Sequence, residues 1–444
     1  MQGKTGRTEM NSPETHRLAL LGGDPTVRTP LPTWPVLSDD EVAALGEHLR
    51  RARTDSTYLT SIFGSGPVVE FERAVADYFG APYAVSTNSG WAALHTALVA
   101  VGVRPGDEVI VPAYTWPQSV SCVLQQGAIP VFADIDPETY TLTAETAEKC
   151  LSPATKAIVV VHLYGQPADM TRMMAFAEAH GLAVIEDCAQ ATGAMHRDRH
   201  VGTIGTVGCF SIGSGKQIVG GEGGFLLTSS EEVRHRAIAM SQHPQRHRVD
   251  LPGGYAAPDG FLPTYRMHPV AASICAAQLP KLRRWNDERI VNLRALSLAL
   301  EGCPGIRPAA ESTFGRHVYH LYCPTFVPEE LPGLSRDRYV EALIAEGAPV
   351  RIGYVRTPLH LRKEMRERKY LAPGFPWNLG SRDVHYAAGD CPVTEDRCAR
   401  TDISVFLGAN AIGDQSALVG EIAAAFWKVA RHHRELLEPA HSQR

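Results

Sequence analysis

Two short segments bring an acid and an amine close enough in sequence to act together. Val184-Ile185-Glu186-Asp187 is an apolar run that ends on carboxylates. Phe210-Ser211-Ile212-Gly213-Ser214-Gly215-Lys216 carries a lone lysine into a loop that continues as Gly220-Gly221-Glu222-Gly223-Gly224. A lysine amine forms an imine with an aldehyde, and a carboxylate beside a pyridine nitrogen keeps that nitrogen protonated, because a nearby opposite charge favours the charged form. Those are the two services that pyridoxal phosphate (PLP) needs from a protein, since its protonated ring takes up the electrons left when a bond to an amino-acid carbon breaks. Lys216 is therefore the expected imine-forming residue and, once displaced, the general acid and base; Asp187 is the expected partner of the ring nitrogen. Either residue alone reads as a helix cap or a solvated charge, and it is the pair that carries the argument. The Gly-Ser-Gly-Lys string also invites a nucleotide P-loop, but that motif needs a glycine where Phe210 stands and a Ser or Thr where Gln217 stands.

The stretch from Val184 to Gly224 resembles the DegT/DnrJ/StrS-type family of PLP-dependent sugar aminotransferases. The resemblance rests on Glu186-Asp187-Cys188-Ala189-Gln190-Ala191-Thr192-Gly193-Ala194 and on the Phe210-Ser211, Lys216 and Gly221-Glu222-Gly223-Gly224 pattern. It extends over nearly the whole chain through Leu18 to Pro35, Gly106 to Trp116, Tyr265 to Leu279 and Asp390 to Arg397. The opening Leu18-Ala19-Leu20-Leu21-Gly22-Gly23 and the closing Cys391-Pro392-Val393-Thr394 are most similar to the branch acting on keto-cyclitols and to aminohydroxybenzoate synthases.

By that resemblance Gln190 contacts the phenolic oxygen of the cofactor, Trp116 stacks on its ring and Ser211 binds its phosphate. The turn Thr87-Asn88-Ser89-Gly90-Trp91-Ala92 matches a phosphate-gripping helix start, where the amides of Gly90, Trp91 and Ala92 are available to an anion. Trp91 stands where relatives carry a threonine hydroxyl. Thr264 aligns with an asparagine that reaches the phosphate from a neighbouring subunit. The loop His243-Pro244-Gln245-Arg246-His247-Arg248 offers a replacement: Arg246 or Arg248 is expected to enter an active site across a dimer interface and bind the phosphate or the carboxylate of an amino donor.

Composition agrees with a globular enzyme but does not specify one. The chain has 444 residues, 44% hydrophobic and 20% charged, and a formal net charge of −5, which gives no reason to expect nucleic acid. No apolar run is long enough to span a bilayer and the polar start lacks a signal-peptide core. The nine cysteines show no paired spacing and the eighteen histidines no His-Glu-x-x-His helix, so no metal site is expected and the thiols are read as reduced, in a cytoplasmic protein. Cys188 is read as a buried small hydrophobe, and His95, His162 and His320 as structural or substrate-facing.

Apolar strands alternate with amphipathic helices. Helices are expected over 66–79, 90–101, 271–282, 283–300, 337–346 and 417–431, and strands over 108–111, 130–133, 157–161, 183–186, 209–212 and 317–326. This alternation argues for an α/β fold with a mostly parallel sheet covered on both faces. The resemblance makes it the PLP-dependent transferase fold type I, aspartate aminotransferase-like, with a smaller C-terminal α+β domain. The expected division is a disordered tail over 1–17, a large PLP-binding domain over 18–285 and a small domain over 286–444, with 373–389 as a loop at the pocket mouth.

The expected activity is PLP-dependent transfer of an amino group from L-glutamine or L-glutamate to a ketone of a cyclitol or sugar in specialised metabolism, by a homodimer with shared active sites. Two other readings stand beside it: different PLP chemistry such as dehydration or aromatisation, and a non-catalytic PLP-binding homologue.

Overall fold

The computed structural model describes residues 17–256 and 261–437. The expected tail, apart from Arg17, lies outside the described residues. Seven strands form the main sheet: β1 (Tyr83–Thr87), β2 (Glu108–Pro112), β3 (Ile129–Ala133), β4 (Thr155–Val161), β5 (Ala183–Asp187), β6 (Val207–Ser211) and β7 (Gly224–Thr228). Their order is β1-β7-β6-β5-β4-β2-β3. All neighbours pair in parallel except β7, which runs antiparallel to both β1 and β6. The sequence reading found neither β1 nor β7, because Tyr83-Ala84-Val85-Ser86-Thr87 and Gly224-Phe225-Leu226-Leu227-Thr228 are short and flanked by helical and glycine-rich segments.

The alternation of strand side chains explains why the sheet is covered twice. Val109, Val111, Val159, Val161 and Ile185 face one apolar cluster, whereas their chain neighbours Ile110, Ile158, Val160 and Val184 face another. Among the α-helices, α1 (Asp39–Arg51) and α2 (Pro67–Phe79) come first in the chain; the first face is packed by α3 (Gly90–Ala100) and α4 (Gln118–Gln125), the second by the helix Met170–His180. The helix Pro67–Phe79 illustrates the local rules: Gly66 precedes it at φ 73°, Pro67 opens it, and Gly80 closes it at φ 70° in the left-handed region that favours glycine.

A second apolar core gathers the helices Leu282–Leu300, Arg336–Ala345 and Ser416–Arg431 with the antiparallel pair Val350–Ile352 and Ile403–Val405. It is not contiguous in sequence. Leu18 is fully buried in it, and the buried Glu346 carboxylate accepts from the amides of Ala19 (2.8 Å) and Thr26 (3.1 Å) and from Lys428 Nζ (2.9 Å). Conversely, Val355, Leu359, Trp377, Tyr386 and Cys398 pack into the core of the main sheet. The expected boundary at 285 thus follows the start of a helix, whereas packing assigns the residues around 18 to the second core and those around 355–398 to the first.

Two further expectations are corrected. The strand expected over 317–326 is reduced to Thr325–Phe326; Val318 and His320 instead donate their amides to the carbonyls of Gly165 and Tyr164, and Tyr319 takes φ 47°. The segment 373–389 does not form the pocket mouth. Trp377 and Tyr386 are buried against the β3 edge, where the Tyr386 hydroxyl donates to the Pro130 carbonyl at 2.6 Å and Trp377 Nε1 donates to Tyr386 at 2.8 Å. Its aromatics mark a docking face.

Candidate active site

A cavity of about 690 Å³ opens beyond the carboxyl ends of β2, β4, β5 and β6, where ligands bind in open α/β sheets. Lys216 and Asp187 both line it. The loop reaches it through Gly215 at φ 79°, and the Lys216 carbonyl is held by Trp34 Nε1 at 2.9 Å. Burial lowers the Lys216 amine to about 8, and the nearby Asp187 carboxylate opposes part of that shift. Asp187 ends β5 and is itself positioned: its Oδ2 accepts from Ser119 Oγ of α4 at 2.7 Å and its Oδ1 from the Ala189 amide at 3.1 Å. Strand alternation sends the adjacent Glu186 to the opposite face. There Glu186 accepts from His162 Nε2 (3.0 Å) and from the amides of Gly202 (2.8 Å), Ile204 (2.8 Å) and Gly205 (2.6 Å). Burial pushes Glu186 up, but the His162 and amide bonds outweigh it and its carboxyl lies below the ordinary value.

That arrangement also explains a cluster with metal-ligand composition. His162, Glu186 and Cys188 bring donor atoms within 4.8 Å of one another. His162 Nδ1 accepts from the Ala168 amide at 3.1 Å, so its Nε2 carries the proton donated to Glu186. The cluster is a closed hydrogen-bond network that anchors the 202–205 turn. Cys188 is fully buried and its thiol is pushed well above the ordinary range by burial.

Ser89, Gly90, Trp91 and Ser211 meet at the open end of α3. Ser89 caps the helix, accepting from the Ala92 amide at 3.1 Å. This corrects the expectation for Ala92: its amide is taken within the chain and Ala92 is not among the lining residues. The amides of Gly90 and Trp91 remain at the helix start, which carries partial positive charge. The close approach is steric as well, since a Cβ on Gly90 would stand 2.8 Å from Ser211 Cβ. Trp91 turns its indole away from anion duty: Nε1 donates to Ser121 Oγ at 2.9 Å and the ring stacks on His95 with centroids 5.2 Å apart.

Gln190 and Trp116 share one wall. Gln190 Oε1 accepts from the Tyr164 amide and its Nε2 donates to the Tyr354 hydroxyl, both at 2.8 Å. Trp116 lies 48% exposed to the cavity side, its ring 5.4 Å from that of Tyr354. Arg246 is not part of the cavity. It is buried, with Nη2 2.6 Å from Glu72 Oε2, Nη1 3.0 Å from Glu72 Oε1 and Nε 2.7 Å from Asp250 Oδ2. Its planar fork is occupied by two carboxylates of its own chain, so the expectation of an anion contact from Arg246 is corrected. Arg248 donates to Gln245 and Thr264 is exposed; neither lines the cavity.

The sequence reading missed several lining residues, Ser119, Arg351, Tyr354, Arg356 and Phe406, whereas His320, read as structural or substrate-facing, is among the lining residues. His320 is held neutral, well below its ordinary value, by burial and by the charges of Lys216 and Arg289. Ser119 lies three residues past Trp116, one helical turn, a spacing that could have pointed to it. The others lie more than a hundred residues downstream of Lys216, in the three-residue strand Val350–Ile352 and in irregular segments, and carry no local signature.

The residues present fit PLP. The cavity holds an unpaired amine among the described residues, a positioned carboxylate, and a glycine-crowded helix start for a phosphate. Comparisons with known proteins agree. Residues 51–378 match the DegT/DnrJ/EryC1/StrS aminotransferase family. The chain is similar to an L-glutamine:2-deoxy-scyllo-inosose aminotransferase of Streptomyces kanamyceticus, 36% identical over 95% of this chain and 99% of that protein. Its structure is similar to an aminotransferase from Psychrobacter cryohalolentis (TM-score 0.77, 27% identity, 92% of this chain and 100% of that one). It is also similar to 3-amino-5-hydroxybenzoic acid synthase (TM-score 0.74, 25% identity, 91% and 99%). With this fold, this cavity and a family match over most of its length, the chain belongs to the DegT/DnrJ/EryC1/StrS aminotransferase family and is an aminotransferase.

Proposed function

We propose that the protein is a PLP-dependent aminotransferase that takes nitrogen from L-glutamine or L-glutamate and delivers it to a ketone on a cyclitol or sugar ring in specialised metabolism. The observation that carries this reading is the Lys216 amine lowered to about 8, in one cavity with a carboxylate fixed by Ser119 and the Ala189 amide. The full-length similarity to a glutamine-dependent inosose aminotransferase supports the donor and the acceptor class.

PLP bound here would serve as the electron sink and as the carrier of nitrogen between donor and acceptor. Asp187 offers its carboxylate to the ring nitrogen, and Gln190, fixed by Tyr164 and Tyr354, offers its amide to the ring oxygen. Trp116 covers a ring face, while Ser211 and the amides of Gly90 and Trp91 receive the phosphate. At pH 7 an amine of pKa near 8 is neutral in about one molecule in ten, against roughly one in three thousand for an ordinary lysine. Lys216 Nζ is thus able to attack an aldehyde and, once released, to take a proton from one carbon and return it to another.

A homodimer with shared sites extends this reading. It is supported by the exposed Phe261, 93% accessible three residues before Thr264, and by the exposed Val42 and Leu49 on the helix Asp39–Arg51. No helix among the described residues is long and apolar enough to cross a membrane.

The test is direct. Protein supplied with PLP should absorb in the visible, and borohydride should trap an adduct on residue 216; Lys216→Ala should do neither. A single turnover with L-glutamine should then bleach the band. An adduct without bleaching by either donor points to dehydration or aromatisation, and biological activity retained by Lys216→Ala points to a non-catalytic homologue.

A further inference from the structure

Arg351 and Arg356 line the cavity, and neither has a carboxylate within ion-pair distance among the described residues. Other exposed arginines are paired, as Arg294 is with Glu311 at 2.7 Å; what sets Arg351 and Arg356 apart is that both stand on the wall of the cavity that holds Lys216. Two guanidiniums without an ion pair thus share a cavity wall whose lining carries two carboxylates, Asp187, held by Ser119 and the Ala189 amide, and Glu222, which has no hydrogen-bond partner among the described residues.

The wall is built to hold its shape. Arg351 sits in the strand Val350–Ile352, directly across from Ser404 in Ile403–Val405. Its guanidinium lies over the Phe406 ring at 4.4 Å, a stacking that fixes the plane of the fork and leaves its N–H edges free. The following turn is pinned to the buried Asp402: the Tyr354 amide donates to Asp402 Oδ2 at 3.2 Å, and a Cβ on Gly353 would come within 2.8 Å of the same atom. Val355, beside Arg356, is buried in the main core. Between the two arginines stands Tyr354, whose hydroxyl holds Gln190.

An anion belongs at such a wall, and the chemistry of the reaction narrows which one. The phosphate of the cofactor is provided for by Ser211 and the start of α3, on different elements. A keto-cyclitol is neutral. The carboxylate of an amino-acid donor is then the remaining anion that every turnover must bring in and, as the oxo acid, release. We propose that Arg351 and Arg356 form the carboxylate subsite for the amino donor, with Arg351 pre-oriented by Phe406 for two-point contact. This rests on the aminotransferase reading and adds the means of donor recognition to it.

Each half-reaction of PLP-loaded enzyme should be followed separately in the wild type, in Arg351→Gln and in Arg356→Gln. Losing a hydrogen bond to a charged group should lower kcat/KM for L-glutamine by about 10- to 100-fold, chiefly through KM, while the amination of a neutral ketone by the pyridoxamine form and the affinity for PLP stay unchanged. L-Glutamine α-amide, which lacks the carboxylate, should be a poor donor for the wild type and should respond to neither substitution. Arg351→Lys should recover part of the loss. A variant in which glutamine kinetics do not change overturns the proposal, as does a selective loss in the acceptor half-reaction, which would assign the wall to an anionic acceptor such as a nucleotide-linked sugar. Absence of any donor half-reaction in the wild type overturns the aminotransferase reading itself, a result distinct from either.

Discussion

At the scale of single residues, the environment of Lys216 makes the most direct prediction. With an amine at about 8, cofactor-free protein should react with an amine-specific aldehyde at residue 216 with a midpoint near pH 8, more than two pH units below ordinary lysines. Asp187 stabilises the ammonium form, so Asp187→Asn should move the midpoint lower; a midpoint that stays or rises would contradict the assigned coupling. Gly90 gives a steric prediction. Alanine there would press against Ser211 at 2.8 Å, at a cost of about 1–3 kcal/mol in stability. It should also weaken PLP binding, both measurable by thermal unfolding with and without cofactor. The two central residues were legible in the sequence because each ends a local pattern, a strand and a glycine loop. Arg351 and Tyr354 were not, because only the fold brings their distant segment to the cavity, and His320 was legible only as one of several histidines.

Elements carry the correction of Arg246. The loop that held two arginines and two histidines in sequence folds as the short helix Pro244–Asp250, capped by His243 Nδ1, and this geometry turns Arg246 inward to Glu72 and Asp250. Sequence composition gave the charge of that loop but not its direction, since Glu72 lies far upstream on another helix. Arg246→Ala leaves a buried Glu72 unpaired, so the unfolding free energy should fall by about 3–5 kcal/mol, with the donor kinetics of the protein that remains folded unaltered. Changed donor specificity at unchanged stability would restore the catalytic reading. The sheet was legible for a related reason: β2 to β5 are continuous apolar runs whose alternate residues serve opposite faces. The aromatic-rich 373–389 segment was misjudged because aromatic content alone does not separate a pocket wall from an edge cover.

The whole molecule is joined where the second core meets the main sheet, and Asp402 stands at that junction. It is fully buried, and its Oδ2 accepts from the Tyr114 hydroxyl, just past β2, and from the Tyr354 amide. Burial raises its carboxyl to about 6. The folded protein therefore takes up this proton before the unfolded chain does. Its contribution to stability is greatest below about pH 4 and declines as pH rises through 6, by up to about 3 kcal/mol. Asp402→Asn should flatten that slope in denaturant titrations between pH 4 and 6.5, and parallel profiles for the two proteins would refute it. The junction also contains an optical probe supplied by the fold. The Trp34 indole donates to the backbone carbonyl of Lys216, sits edge-on to Trp285 at 5.4 Å and lies under the Arg289 guanidinium. Emission from that indole, isolated by comparison with Trp34→Phe, should brighten or dim as the lysine loop rearranges, giving a real-time readout of turnover without any dye.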